Sequence, residues 1–484
     1  MSVELTDLDQ PPSVSPETSH RLFQGGLAGL VGALVYCYVT TGGDIHVAQL
    51  LASAIIVFSA IPALNWARTK STWFPAFEIS MLACITFYAI PLFKSSDELA
   101  SYAAASRSQS ALVVLIYVAC ANFGFSSLRT RPRVPHWAVE TLLPAKAIHW
   151  VPIGLLINVA YAYVSIFLKI IPGNIEGILR ALFFGIGIMS TFILARMWGL
   201  GLLDRRQRIV FVLGLLAYLV VTFSTLYLIG GISLLALTLI SYASARRKIP
   251  WEAIGIFGVI LALLHLGKPE MRKKYWDPAT NESRGAPVAS LTDLPAYYGE
   301  WFDYSIQALE QHETDPEKKP TSIFARASLI QMICLSVDEV PNRKPYLLGE
   351  SYVDIPALII PRLLWPEKPS SLLANIRLAV YFNLVSEDSG FSVSIAFGPL
   401  AEAYINFGYL GVALLGVLMG AGFKRVSMMS DGAPQFSAMG IFMILLTAWS
   451  FQVEQVMATW LSSLFQAAVI CIGLPALYRK LTVV

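Results

Sequence analysis

Seven polar residues in the second half of the sequence have types suited to chemistry on an anionic substrate. The catalytic candidates are Glu402 and Arg362, and the substrate-binding candidates are Lys268, Arg272, Arg326, Lys368 and Tyr404. A guanidinium fork matches phosphate oxygens bidentately, and Lys supplies a point charge. A carboxylate within an apolar pattern is a candidate proton acceptor, because desolvation raises its basicity. These residues indicate binding of a phosphorylated substrate beside a general base.

Each of these residues also has a purely structural interpretation. Lys268 and Arg272 could extend to lipid phosphates, and Arg362 and Lys368 could anchor the chain at a membrane interface. Glu402 could pair with Arg362 or with Arg326. The sequence leaves these alternatives open.

The composition determines which kind of protein must position these side chains. Hydrophobic residues make up 56% of the 484 residues and charged residues 14%, and the mean hydropathy is +0.61. A soluble surface needs more charge, so the chain uses lipid as its solvent. The net charge of +3 gives no argument for a nucleic-acid partner. Five scattered cysteines imply neither a disulfide framework nor a metal site, and we expect no cofactor.

Charge is concentrated in one stretch of the sequence. Residues 268–394 contain 13 Lys/Arg and 17 Asp/Glu, which is 30 of the 67 charged residues. The sequence therefore predicts four regions: a disordered cytoplasmic tail (1–20), N-terminal transmembrane helices (21–267), an extracytoplasmic loop (268–394) and C-terminal transmembrane helices (395–484).

About twelve segments are apolar and long enough to be membrane spans. They are 22–41, 47–66, 73–93, 109–127, 148–171, 177–200, 208–228, 230–245, 250–267, 396–423, 434–453 and 457–478. The seventh and eighth form a predicted hairpin that divides at Gly230-Gly231. With this count the basic loops all fall on one side, which the positive-inside rule makes cytoplasmic. Both termini are then cytoplasmic, and the fold class is an all-α polytopic membrane protein with one large external loop.

Two parts of the external loop have their own structural signals. The segment 326–341 has the pattern of an amphipathic helix that ends before Pro341. The segment 347–370 is apolar, but four prolines prevent a continuous helix. Such a broken, re-entrant segment is tolerated at membrane depth only where it lines a protein cavity.

Several strings in this half of the sequence resemble one known family. They are K-P-E-x-R at Lys268, R-x-x-L-I-Q at Arg326, G-E-S-Y at Gly349, I-I-P-R-L-L-W-P-E-K-P from Ile359, and G-P-L-A-E-A-Y-I-N-F-G-Y-L-G from Gly398. In this order they resemble the bacterial Wzy-type polymerases, which join repeat units of O-antigen and exopolysaccharide. The resemblance covers residues 250–425, and its most specific piece is P-R-x-L-W-P-x-K-P.

The resemblance implies a fold, a reaction and partners. The fold would be that of the lipid-carrier-dependent glycosyltransferase C type. The enzyme would join undecaprenyl-diphosphate-linked repeat units on the outer side of the bacterial cytoplasmic membrane, without a nucleotide sugar. Its partners would be the lipid-linked glycan, the bilayer, a chain-length regulator and a flippase. The seven candidate residues match polar positions of that family.

Other functions remain open at this stage. An O-antigen ligase would use the same chemistry, but a histidine would be expected in the external loop, and His312 stands there without a motif. A transporter or flippase would place charges near the bilayer midplane in both halves. A scaffold of an export complex would not explain the grouping of Arg362, Lys368 and Glu402.

Overall fold

The computed structural model describes most of the chain. The described residues are 15–41, 46–69, 75–93, 97–142, 150–168, 170–246, 250–275, 291–314, 328–360, 365, 367–370, 372–386 and 395–482. Within these ranges every regular element is a helix, and Thr141 and Ser437 form an isolated antiparallel bridge.

Eight principal helices precede the predicted external loop. They are α1 (Pro16–Thr40), α2 (Val47–Thr69), α3 (Ala76–Cys84), α4 (Ala104–Ser127), α5 (Val151–Tyr163), α6 (Gly173–Gly199), α7 (Arg205–Phe223) and α8 (Ile229–Arg246). α3 continues through a π turn, Ile85–Ala89, and a 3-10 turn, Ile90–Leu92. α5 continues through a π turn, Val164–Leu168. Single helical turns occur at Asp97–Ala100 and His136–Val139.

The second half contains eight more helices. They are α9 (Trp251–Tyr275), α10 (Leu294–Thr314), α11 (Ile330–Glu339), α12 (Ile355–Ile359), α13 (Leu373–Tyr381), α14 (Gly398–Ser430), α15 (Ala438–Trp449) and α16 (Met457–Thr482). Short 3-10 turns lie at Leu291–Asp293 and Glu350–Tyr352. α11 ends two residues before Pro341, which confirms the amphipathic helix predicted there.

Nine helices of the described part are long and apolar enough to cross a membrane. They lie in α1, α2, α4, α5, α6, α7, α9, α14 and α16. Three shorter apolar helices, Ala76–Leu92, Gly230–Ala243 and Ala438–Trp449, coincide with the other three predicted segments. The chain is therefore a helical protein with the composition of a multi-pass membrane protein.

The predicted hairpin exists, but its predicted dividing point is wrong. The chain turns at Ser224–Leu228, where Leu226 has a φ of 62°, and Gly230 and Gly231 already belong to α8. Gly231 instead allows α8 to pack closely against α7, because a Cβ there would overlap the ring of Phe223 and lie 3.0 Å from Leu219 Cδ2. A glycine pair can therefore mark close helix contact as well as a turn.

α4 and α14 pack together along much of their length. The small residues of both helices make this approach possible. A Cβ on Gly416 would lie 2.7 Å from the carbonyl oxygen of Tyr117, and Cβ atoms on Gly420 and Gly124 would overlap backbone atoms of the facing helix. Small residues allow backbones to approach closely where lipid provides no hydrophobic driving force.

The connections between helices gather into two groups at opposite ends of α14. At its C-terminal end, Arg131 pairs with Asp431 at 2.6 Å, and Arg479 pairs with Glu140 at 2.6 Å. At its N-terminal end, Leu329 N–H donates to Phe87 O at 3.0 Å and Gly398 N–H donates to Glu454 O at 3.0 Å. The basic connections that carry Arg131 and Arg479 thus lie at one end of α14, and the connections that carry Leu329 and Glu454 lie at the other.

Part of the predicted external loop forms a helical hairpin with α9. Trp301 Nε1 donates to Leu264 O at 2.7 Å, and Ser305 Oγ donates to Leu263 O at 2.7 Å. Gly267 allows this contact, since a Cβ there would lie 2.6 Å from Trp301 O. α9 also continues past residue 267 to Tyr275, so that Lys268 and Arg272 lie one turn apart on one helix face.

Candidate functional site

Glu402 lies near the start of α14 and is fully buried, with 0% exposure. α14 begins after Phe397, with Pro399 near its first position, where the missing N–H costs no helical bond. Gly398 has a φ of 72°, and a Cβ there would lie 2.8 Å from Val453 O. The loop before α16 therefore lies directly against the first turn of α14, beside Glu402.

Both carboxylate oxygens of Glu402 accept hydrogen bonds. Ser351 Oγ donates to Oε1 at 2.8 Å, and the N–H of Met457 donates to Oε2 at 2.7 Å. These donors come from the segment after α11 and from the first residue of α16. One buried carboxylate therefore joins three parts of the chain that are remote in sequence.

Asn406 completes this polar network. Its Nδ2 donates to Ser351 Oγ at 2.8 Å and to Glu402 O at 2.7 Å, while its Oδ1 accepts from Gly349 N–H at 2.9 Å. Glu402 and Asn406 are four residues apart and so share one face of α14. Buried polar groups with satisfied partners rigidify the region that they join.

A break in α14 lets the segment that contains Leu347 and Leu348 bind to this face. Gly408 has φ 61° and ψ −147°, which interrupts the helix. The break frees two carbonyls, so that Leu347 N–H donates to Ile405 O at 3.1 Å and Leu348 N–H donates to Asn406 O at 3.2 Å. A Cβ at position 408 would lie 2.8 Å from Tyr346 Oη, so both the backbone and the packing require glycine.

Tyr404 and Lys368 are both buried, and both bind backbone carbonyls between α11 and the residues just after α12. Tyr404 Oη donates to Val340 O at 3.4 Å, and its ring meets Tyr409 edge-on at 5.4 Å. Lys368 Nζ donates to Leu358 O at 3.0 Å and to Ile360 O at 2.6 Å. The ammonium thus binds the carbonyls at the C-terminal end of α12, a favourable position for a cation.

Lys268 and Arg272 lie on α9 and face other parts of the chain. Arg272 donates to Leu226 O at 3.0 Å, and its guanidinium lies 5.6 Å from the centroid of the Tyr227 ring. Lys268 lies near Glu454, whose carbonyl accepts from Gly398. Burial raises the pKa of the Glu454 carboxyl to about 7, and the positive charge of Lys268 opposes that rise. Lys268 therefore lies near the loop that joins α15 to α16, and α16 begins with Met457, the donor to Glu402.

Arg326 and Arg362 lie outside the described residues. The structure places Glu402 against Ser351 and Tyr404 against Val340, both in the stretch that follows α11. Lys368 lies farther along the chain and binds the end of α12. Lys268 stands beyond the Glu454 loop, and Arg272 is directed toward the turn between α7 and α8.

Sequence reasoning did not select Ser351, Asn406 or Arg377. Arg377 Nη1 binds Asp354 Oδ2 at 2.7 Å and Glu350 O at 3.2 Å, which holds the segment that carries Ser351. Ser351 and Asn406 stand inside the strings G-E-S-Y and Y-I-N-F-G, so a signal was present for both. Arg377 has no such signal, because its string N-I-R-L-A-V is an ordinary amphipathic pattern.

The fold and the site together define a class: a multi-pass helical membrane protein with a buried carboxylate network at one end. The model of the domain of unknown function DUF8712 matches residues 153–453, well over half of the sequence. The chain belongs to this family, and all seven candidate residues lie inside the matched region. No curated protein and no solved structure matches the chain.

Proposed function

We propose that this protein is a polymerase that joins undecaprenyl-diphosphate-linked oligosaccharide repeat units into O-antigen or exopolysaccharide chains. One observation carries the proposal. The strings that resemble the Wzy-type polymerases are remote in sequence, yet Ser351 of G-E-S-Y contacts Glu402 and Asn406 of the string that begins at Gly398. Residues that form one site would be expected to meet in this way.

The proposal includes a complete topology. The nine long helices and the three shorter ones would make twelve crossings, with a fold like that of the lipid-carrier-dependent glycosyltransferase C type. The end that carries Arg131 and Arg479 would face the cytoplasm, as would both termini, because basic residues favour that side. Residues 268–394 would then lie outside the bacterial cytoplasmic membrane. A protease site introduced at Asp315 should be cut in intact spheroplasts, whereas one at Arg131 should be protected.

In the proposed reaction an acceptor hydroxyl attacks the anomeric carbon of the growing chain. The new glycosidic bond forms as the bond to the diphosphate breaks, and the diphosphate leaves with the electron pair. Glu402 accepts the hydroxyl proton. The cations Lys268, Arg272, Arg326, Arg362 and Lys368 stabilise the charge that develops on the diphosphate, and Tyr404 contacts substrate.

This role sets a structural requirement on Glu402. Its carboxylate is fully buried beneath Ser351 and the N-terminus of α16. Substrate binding must therefore move the segment that contains Ser351 away from Glu402. Gly408 interrupts the helix next to this contact, and its non-helical backbone is a position at which the chain can bend during such a movement.

Deletion and complementation in the native cell test the proposal. Deletion of the chain should leave single repeat units on the cell surface or on the carrier, and the wild-type chain should restore long polymer. Arg362→Ala should not restore it, and Arg362→Lys should be poor because an ammonium cannot replace a bidentate fork. Arg425→Ala, in a predicted cytoplasmic connection, is the control. An unchanged polymer after deletion would refute the function, whereas long chains with Arg362→Ala would refute only the assignment of Arg362.

A further inference from the structure

A small cavity lies next to the Glu402 network, inside the helix bundle. Its volume is about 30 Å³, and it is lined by α3 with its π turn, α4, α14, the end of α15, the loop before α16 and α16 itself. The polar groups of its wall belong to Ser80, Tyr88, Tyr117, Ser450 and Gln452. Met457, whose N–H donates to Glu402, also lines it.

Tyr88 lines this cavity and carries a buried hydroxyl without a hydrogen-bond partner among the described residues. The residue is 1% exposed, and its Oη has no hydrogen-bond partner within the described part of the chain. It lies 3.2 Å from the point that a Cβ on Gly398 would occupy. A buried hydroxyl without a partner loses the hydrogen bonds that it would make to water, so this position is unfavourable unless something binds the hydroxyl.

The cavity has the size and the chemistry of a water site. A buried water needs roughly 10–15 Å³ and two to four polar partners. Tyr88 supplies a donor. Ser450 Oγ donates to Leu446 O at 2.7 Å and keeps lone pairs that can accept, and Gln452 Oε1, which accepts from Gln455 at 2.7 Å, has a second acceptor position.

We propose that this cavity binds one or two water molecules, which accept a hydrogen bond from Tyr88 and donate to groups of the loop before α16. The same loop leads into Met457, so the water site supports the backbone that donates to Glu402. Tyr88 is then a positioning residue for that loop. The water site itself does not depend on the reaction proposed above.

Radiolytic hydroxyl footprinting of the purified protein in nanodiscs tests the site. Radicals that form from a bound water label the side chains beside it even where bulk solvent cannot reach. Tyr88 and Tyr117 should be labelled, and the label should retain ¹⁶O shortly after mixing into H₂¹⁸O because buried water exchanges slowly. Tyr297 is the matched control, since it is 2% exposed and its hydroxyl already donates to Ser224 O at 3.0 Å. Labelling of Tyr88 no greater than that of Tyr297 would overturn the proposal.

Tyr88→Phe provides a second measurement, because it removes only the hydroxyl. If water binds Tyr88, the variant should lose the label on Tyr117 and should have a lower Tm than the wild type. If the cavity is dry, the substitution removes a buried group with no partner, so the Tm should rise. A higher Tm for Tyr88→Phe would contradict the water site, whatever the activity of the protein.

Discussion

The hydroxyl of Ser351 lies 2.8 Å from Oε1 of Glu402, across 51 residues of sequence. This hydrogen bond connects the proline-rich segment, which the sequence predicts to be external, to the helix that carries the proposed base. Asn406 donates to the same Ser351 oxygen at 2.8 Å, so the hydroxyl both accepts and donates. The first two predictions separate the structural role of this contact from its chemical role.

Ser351→Ala should destabilise the protein by about 1–3 kcal/mol, because Glu402 Oε1 loses its donor and Asn406 Nδ2 keeps only one of its two acceptors, Glu402 O. Thermal unfolding in detergent measures the effect. Ser108→Ala is the control, since Ser108 donates only within an exposed helical turn, to Ala104 O. Equal unfolding temperatures for the two variants would show that the Glu402 network does not stabilise the fold.

Glu402→Gln should keep the protein folded while slowing transfer by a factor of about 100 or more, the usual contribution of a general base. The amide retains the size of the side chain and can accept from Met457, but it cannot take a proton. Polymer formed per folded, purified molecule is the measurement, and binding of lipid-linked repeat units should be unchanged. Turnover near that of the wild type would remove Glu402 from the mechanism and direct attention to Asp354 or Glu350.

Arg377→Ala should cost about 1–3 kcal/mol, because Asp354, whose side chain is 12% exposed, loses its cation. Adding Asp354→Asn should recover part of that loss, since the uncompensated charge is then removed. Arg343→Ala breaks the exposed pair with Glu339 and should change stability by less than about 1 kcal/mol. Chemical unfolding of Arg377→Ala, Asp354→Asn, the double variant and Arg343→Ala checks this prediction. It would be contradicted if the loss in the double variant equalled the sum of the losses in the two single variants.

Gly416→Val should prevent correct assembly of α4 with α14, because its Cβ would lie 2.7 Å from Tyr117 O. Gly422→Val on the same helix is the matched control, since a Cβ there meets nothing within 4 Å. The yield of monodisperse protein from membranes should fall strongly for the first variant and stay near the wild-type value for the second. Similar yields would mean that the two helices are not in close contact.

Glu454 should make stability depend on pH. Burial raises the pKa of its carboxyl from 4.5 to about 7, so between these values the folded state binds more protons than the unfolded state. The contribution of Glu454 to stability is therefore fully present below pH 4.5 and is lost as the pH rises toward about 7. Glu454→Gln should flatten this decline in Tm, whereas Glu252→Gln, at the exposed start of α9, should not. An identical pH profile for wild type and Glu454→Gln would contradict the burial of this carboxyl.

The sequence by itself was enough to predict an all-helical protein with the composition of a multi-pass membrane protein. Apolar segments of about 20 residues locate helices because each segment satisfies its own backbone hydrogen bonds, and this information is local. The end of α11 before Pro341 is also local, since proline stops a helix. The sequence placed the turn between α7 and α8 at the wrong residues. A pair of glycines is found both in turns and where a neighbouring side chain packs closely, as Phe223 does here, and the sequence does not distinguish the two cases.

Only the tertiary structure shows which polar residues meet. Ser351 contacts Glu402, and the break at Gly408 leaves two carbonyls of α14 to accept from Leu347 and Leu348 of the same segment. No periodicity in the sequence records these contacts. Likewise, sequence spacing grouped Lys268 with Arg272, but Lys268 lies near Glu454 while Arg272 binds Leu226 O. Helix position follows from local hydrophobicity, whereas the partners of a buried polar group depend on how remote segments pack.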